Sequence, residues 1–491
     1  MLHQCGAGAA PPAADLPADA VGAPVFTVPV QSWSTGDTTA LGFMELLGLL
    51  NKAAVIDPSY ASSACLLKLS APECGVVDGV ANDYGAGWTT AISDSTSTLH
   101  LAGGSSTSID VDFKATSDPS ALGRAEWIKY VAAFFNLEPH ANRVFAEIKA
   151  EVEKSQALTA DAVAGGAVAP KVLHISLPST IATPSYKMDS IKAAGGVVPS
   201  AADLALHCTA NGDTAWASGT AHVSVVDKAL GYVNSWTCTD AGMKAVLAGI
   251  DVVIDDTYHA DNTYTHDMFM TKLNFSSAET AAVYPFLNNK VLRWDRLMVQ
   301  SNAQGYATFG TAAFEDMVPR ADIVVDDLKS YFHPTLAPSS YVPRFFRNIA
   351  AGETVTLATA TDCDDPYATC PGETAPPSPP TDRNYCSGAL CVLAAPPSPP
   401  PSPSPPPPPS PSPPPSPSPP PPPPKELNLT RLEANVSDDD DDDIALVAGL
   451  VGGLLGAAVL CLLASVLYMY SREKQGKPIF SALDETKVSA A

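Results

Sequence analysis

The sequence predicts an α/β fold in two lobes joined by a long helix, followed by a C-terminal part that is not globular. Three observations predict it. From Val25 onward, short apolar strand-like runs alternate with helical spacing, the pattern of parallel sheets covered by helices. A helix pair, Thr116–Leu158, sits between two such halves. Past Cys391 the composition turns abruptly to proline and serine.

Residues 1–24 are rich in Ala, Pro and Gly, without the basic start and apolar core of a signal peptide, and are expected to be a disordered N-terminal segment. The first lobe and its linking helices are expected over 25–158. Val25–Val30 reads as a strand, Gln31–Thr38 as a loop with turn residues, and Ala40–Leu50 as an apolar-faced helix. A strand-like piece surrounds Cys65–Leu69. Asp83–Thr90 is a Gly-rich loop, and Ile109–Phe113 alternates as a strand does.

Asp118-Pro119 is a helix start, with a side-chain oxygen for free N–H groups and then a ring already at helical φ. Leu122, Ala125, Ile128, Val131, Ala132 and Phe135 follow at helical spacing. Pro139 cannot sit inside that helix, so a second begins there, with Val144, Phe145, Ile148 and Val152 on one face. A helix joining two lobes fits this pattern. So do two surface helices of one larger domain.

The second lobe, with a Cys-rich end, is expected over 159–392. It opens with strand Lys171–Ser176, a polar loop Leu177–Tyr186, and helix Lys187–Ala194 closed by Gly195-Gly196. Helix Ala241–Ala248, strand Asp251–Ile254, strand Lys290–Trp294 and polar loop Met298–Thr308 come next. Phe314–Val318 is expected helical, Asp322–Val325 a strand, and Pro343–Ile349 a last helix.

Residues 393–443 form the Pro/Ser-rich stalk and acidic spacer. Pro396–Pro424 holds only Pro and Ser, which favours polyproline II, about 90 Å long at ~3.1 Å per residue. Six aspartates, Asp438–Asp443, precede Ile444–Tyr470, an uncharged stretch long enough to cross a bilayer. Arg472, Lys474 and Lys477 follow it. The positive-inside rule then leaves the tail, 471–491, in the cytoplasm and the rest outside, a single-pass type I arrangement at the plasma membrane or an endomembrane. Gly449/Gly453 and Gly452/Gly456 are small-residue pairs suited to packing membrane helices.

A net charge of -24 argues against a nucleic-acid partner. The ten cysteines contain no C-x-x-C. Cys65/Cys74, Cys208/Cys238, and Cys363, Cys370, Cys386 and Cys391 lie close in sequence, as disulfides made locally in an oxidising compartment would, with Cys5 unassigned. Sequons stand at Asn274, Asn428 and Asn435.

Enzyme signatures are absent: no G-x-S-x-G, P-loop, H-E-x-x-H or strand-linked G-x-G-x-x-G occurs. Asp255/Asp256 and Asp326/Asp327 end strand-like runs, where helix caps and catalytic acids both occur. His174, His259 and Asp255 are a candidate metal set near strand ends, and nothing in their spacing requires it. What recurs is rings in loops after strands: Trp33, Tyr84 and Trp88 in the first half, and Tyr186, Trp216, Tyr258, Trp294, Tyr306 and Phe309 in the second. In open α/β sheets ligands bind outside the carboxyl ends of strands, so these rings, with Ser34 among the polar neighbours, suit a large flat ligand. Core or lid packing is the competing role for each.

Over 25–350 the chain resembles the helical-backbone periplasmic binding proteins that serve vitamin B12, siderophore and some metal importers. The resemblance rests on Val28–Leu50, the helix pair from Pro119, Val172–Val197, Gly249–His259 and Phe314–Leu328, taken in order. With stalk and span added, it resembles the algal cobalamin acquisition proteins, membrane-anchored relatives of bacterial B12 receptors. That resemblance implies capture of cobalamin as a ligand, without catalysis or a further cofactor, by Trp33, Trp88, Tyr186, Trp216 and Tyr258, and a transporter or endocytic partner. Two acidic residues that dock the bacterial receptors on a permease have no assignable counterparts here. The alternatives are an iron–siderophore or haem receptor, for which Lys187, Arg293 and Arg296 are the candidate cations, a wall-linked adhesion glycoprotein, and a metal-dependent enzyme.

Overall fold

The computed structural model describes residues 1–5, 12, 16, 23–80, 86–102, 108–210, 235–275, 280–301, 307–365 and 368–371. All belong to one compact unit, Met1–Pro400. The expected stalk, acidic spacer, membrane span and tail lie outside the described residues, as do Cys386, Cys391, Asn428 and Asn435. Among the described residues no helix is long and apolar enough to cross a membrane.

The first half contains β1 (Leu2–Gln4), β2 (Phe26–Val28), β3 (Trp33–Thr35), α1 (Leu41–Leu46), β4 (Ala53–Ile56), α2 (Ala64–Ser70), β5 (Asp78–Gly79), α3 (Ala86–Asp94), β6 (His100–Ala102) and β7 (Asp110–Asp112). Then come α4 (Ala121–Ala133) and α5 (Glu138–Ala164). Strands β5-β4-β3-β6-β7 form an all-parallel five-stranded sheet. The chain start is not wholly disordered: β1 pairs in parallel with β2.

Three expectations fail here for identifiable reasons. Gln31–Thr38 is no loop, because Trp33–Thr35 is the central strand. It is buried on both faces, so it lacks period-two alternation, and its polar side chains are satisfied internally, Thr35 Oγ1 donating to Leu101 O at 2.8 Å. Cys65–Leu69 is helical, begun by Ser63, whose hydroxyl accepts from Leu66 N. Trp88 lies on α3, although residues 81–85 of that expected loop are outside the described set.

The second half contains β8 (Val172–Ser176), β9 (Thr180–Ala182), α6 (Ser185–Ala193), α7 (Ala201–Ala205), β10 (Cys208–Ala210), β11 (Ser235–Cys238), α8 (Asp240–Leu247), β12 (Val252–Asp255), α9 (His266–Leu273) and β13 (Val291–Arg293). After them run β14 (Leu297–Ser301), β15 (Thr308–Thr311), α10 (Ala312–Glu315), α11 (Ala321–Phe332), β16 (Arg347–Asn348) and β17 (Thr356–Ala358). A mixed seven-stranded sheet has the order β10-β11-β9-β8-β12-β13-β16, with β8, β12 and β13 mutually parallel. Alternate residues of its strands enter opposite layers. Leu173, Ile175 and Val253 pack toward α8 and α9, while Val172, Val252 and Ile254 pack toward α5, α6 and α11.

The polar loops expected at Leu177–Tyr186 and Met298–Thr308 contain β9, β14 and the first residue of β15. Asp322–Val325 is helix, not strand: Ala321, Val324, Val325, Leu328 and Phe332 are buried at a 3.6-residue period that the β-branched run disguises. Pro343–Ile349 is not a helix: it contains β16, and only its last residue, Ile349, opens a 3-10 turn.

Helix α5, about 40 Å long at ~1.5 Å per residue, touches both halves. Ala141 joins the first core, whereas Ile148 and Val152 join the layer beneath the second sheet. A largely buried polar trio fixes it to α11: Ser155 Oγ donates to Asp326 Oδ1 at 2.5 Å, and Lys329 Nζ donates to both, at 2.6 Å each.

The C-terminal part of the expected second lobe does not stay there. Strands β15-β14-β17 form a separate sheet, and Val299 sits in the first core. Backbone of β15 comes so close that a Cβ on Gly310 would lie 2.4 Å from Tyr60 O and Ala61 O, which requires glycine. Two disulfides complete the return, Cys65–Cys363 and Cys74–Cys370, with sequence separations of 298 and 296. The local pairing expected for these four is therefore wrong; Cys208–Cys238 is local as expected, across adjacent strands β10 and β11. Cys5 is also disulfide-bonded.

Candidate ligand-binding site

Because β8, β12 and β13 are parallel, their carboxyl ends lie along one edge of the second sheet. The residue that leaves β12 there is Asp256, its backbone N–H donating to Ile175 O at 2.7 Å. Three donors from three elements converge on its carboxylate. His174 of β8 places Nδ1 3.1 Å from Oδ2, Lys187 of α6 donates Nζ to the same oxygen, and Trp294 donates Nε1 to Oδ1 at 2.8 Å.

Burial alone would raise the Asp256 pKa, but the Lys187 ammonium and the His174 ring hold it well below the usual carboxylate range. Burial lowers the pKa of His174, with Lys187 adding to the effect and Asp256 opposing it. Lys187 is raised, since the attraction of Asp256 outweighs its own burial. The centre thus pairs one anion with one cation beside an imidazole biased to neutrality.

Rings lie at or near this centre. Trp294 meets Phe314 edge to face at 4.6 Å, and Phe314 remains 47% exposed. Tyr258, two residues beyond Asp256, is 73% exposed. Tyr186, beside Lys187, lies under the Arg124 guanidinium at 3.4 Å. Arg124 comes from the first half and donates Nε to Asp118 O at 2.9 Å, while Ser185 Oγ donates to Pro119 O at 2.7 Å. The start of α4 therefore abuts the start of α6, and both halves contribute to the surroundings of Asp256.

Deeper in the sheet the other strand-end charges are locked together. Arg293 donates to Asp255 at 2.7 Å and to Asp295 at 2.9 Å, and Arg347 donates to Asp295 at 2.6 Å. The Arg293 guanidinium also covers the Tyr264 ring at 3.7 Å. Arg296 pairs with Glu353 at 2.8 Å. Asp255 therefore belongs to a buried ion-pair network, and His259 bonds Thr263 at 3.0 Å, so the metal set of His174, His259 and Asp255 does not converge.

The expected ligand rings divide accordingly. Trp33 is fully buried and donates Nε1 to Leu49 O at 2.8 Å. Ser34 is buried against Ser97 and His100, and Trp88 packs with Val55 and Ile92. These three are core residues, and the ligand role expected of them is withdrawn. Trp294 bonds Asp256, Tyr186 adjoins Lys187 in sequence, and Tyr258 is exposed two residues beyond Asp256, whereas Tyr84, Trp216 and Tyr306 lie outside the described residues. Phe314 and Arg124 were not among the expected site residues, and nothing in the sequence brought His174, Lys187 and Trp294 together on Asp256. The adjacent Asp255-Asp256 was visible, but nothing in it distinguished the deeply paired first aspartate from the second.

No family model and no curated protein matches the chain. Several solved structures resemble it at low identity. A periplasmic heme-binding protein from Pseudomonas aeruginosa is 12% identical over 63% of this chain and 95% of that one, with a TM-score of 0.39. A periplasmic binding protein from Veillonella parvula is 11% identical over 62% and 92%, at a TM-score of 0.41. The periplasmic heme-binding protein HutB of Vibrio cholerae is 12% identical over 62% and 99%, at a TM-score of 0.40.

Proposed function

We propose that the chain is a solute-binding protein held outside the cytoplasm, that its ligand is cobalamin, and that it captures the vitamin for uptake without transforming it. The observation that carries this reading is the pairing of the cations once assigned to an anionic iron chelate. Lys187 faces Asp256, Arg293 faces Asp255 and Asp295, and Arg296 faces Glu353. With those charges matched, the sheet edge offers rings: Phe314, Trp294, Tyr186 and Tyr258. Apolar ring faces with few charges suit a bulky ligand with flat faces and an amide rim. The disulfides support an oxidising compartment. Anchoring through Ile444–Tyr470 and delivery to a transporter or endocytic partner complete the proposal.

One observation favours a second reading, an anionic siderophore or haem. Arg124 stacks on the Tyr186 ring and lies close enough to act on the charge of Lys187, so two cations stand at this edge of the sheet. Competition decides between the two. Cobalamin, haem and a ferric siderophore are titrated into the purified full chain and into Arg124→Ala. Cobalamin binding that survives Arg124→Ala supports the first reading. Binding of haem or siderophore alone, lost in Arg124→Ala, supports the second.

A further inference from the structure

Away from the rings, Glu45 of α1, Glu315 at the end of α10 and the adjoining Asp316 place carboxylate oxygens within 4.8 Å of one another. Glu315 is fully buried. Its Oε2 accepts from Ser62 N at 2.6 Å, but its Oε1 is buried without any hydrogen-bond partner. A buried carboxylate oxygen with nothing to bond is costly, because the water it has lost is not replaced.

The charge balance is also one-sided. Arg344 donates to Asp316 at 2.6 Å, and Asp364 and Asp365 both add negative potential at Glu45. One guanidinium thus faces three carboxyl groups, and Glu315 Oε1 remains an open acceptor among them. Helix α1 packs closely on this turn, since a Cβ on Gly42 would lie 2.8 Å from Glu315 O.

We propose that Glu45, Glu315 and Asp316 form a binding site for a hard divalent cation, calcium, which bonds the orphaned Glu315 Oε1 and ties α1 to the α10 turn. Oxygen-only ligands select hard cations, and calcium accepts irregular sets of six to eight oxygens completed by water. Three carboxylates around one ion resemble extracellular calcium sites in ligand charge, which bind with Kd on the order of 10⁻⁴–10⁻³ M.

The test uses the purified full chain stripped with EDTA and dialysed. Calcium chloride at up to ~5 mM should raise Tm saturably, and terbium luminescence should appear and be displaced by calcium. Glu315→Gln should abolish both responses. Should that variant not fold, Glu45→Gln serves in its place, and the terbium competition on the unaltered chain needs no variant. No calcium response in the stripped protein overturns the site. A response to magnesium or manganese without calcium overturns the assignment of the ion. An unchanged response in both variants overturns the ligand set.

Discussion

Trp294 donates its indole N–H to Asp256 at 2.8 Å while its ring meets Phe314 at 4.6 Å, so one side chain couples the buried polar centre to the exposed rings. Phe314 needs no partner for structure at its exposed face. Phe314→Ala should weaken cobalamin binding by about 1–3 kcal/mol with little change in Tm. Calorimetry and a melting curve on the same sample check both halves of that statement.

Trp33→Ala should behave in the opposite way. Removing a fully buried indole costs about 3–5 kcal/mol of stability, while affinity in the remaining folded protein stays unchanged. Weakened binding at unchanged Tm would return Trp33 to the ligand.

Asp256→Asn leaves the partly buried Lys187 ammonium without its anion, which costs somewhat less than the about 3–5 kcal/mol of a fully buried pair. Denaturant unfolding should show the loss. The paired change Asp256→Asn with Lys187→Met should recover part of it, and failure to recover would mean the pair is not a unit.

Acid should unfold the protein through His174. Its pKa is lowered in the fold, so the unfolded chain takes up the proton first. The stability contributed by the neutral ring is fully present above about pH 6.5 and is lost as pH falls toward the depressed folded value. Tm should therefore fall below about pH 6.5, and less so in His174→Gln, which donates to Asp256 without titrating in this range. Identical pH profiles would contradict the assignment.

The disulfides make a covalent prediction. Unreduced peptide mapping should recover Cys65 with Cys363 and Cys74 with Cys370. Cys65→Ser with Cys363→Ser should cost about 2–5 kcal/mol. A Cys65–Cys74 peptide would contradict the return of the C-terminal segment to the first core.

What the sequence discloses follows how local each cause is. Pro139 and the apolar face of α5 are local, and the helix appears where they point. Trp33–Thr35 is a three-residue strand whose identity depends on β4 and β6 on either side, and Gly36 and Asp37 beside it imitate a loop. Val324 and Val325 favour a strand locally, yet the core they face lies every third or fourth residue. The cysteine partners lie nearly 300 residues away, beyond any spacing argument. At the site, Tyr186, Tyr258 and Trp294 were legible as rings after strands. Phe314 was not, because β15 before it was not read as a strand, only its first residue, Thr308, falling in the expected polar loop.

The most direct measurement is isothermal titration of cobalamin into the purified full chain at tens of micromolar vitamin. A saturable heat with one site per chain, reduced in Phe314→Ala and retained in Arg124→Ala, is the result predicted here. No heat with cobalamin, together with saturable binding of haem or a ferric siderophore, would contradict the account.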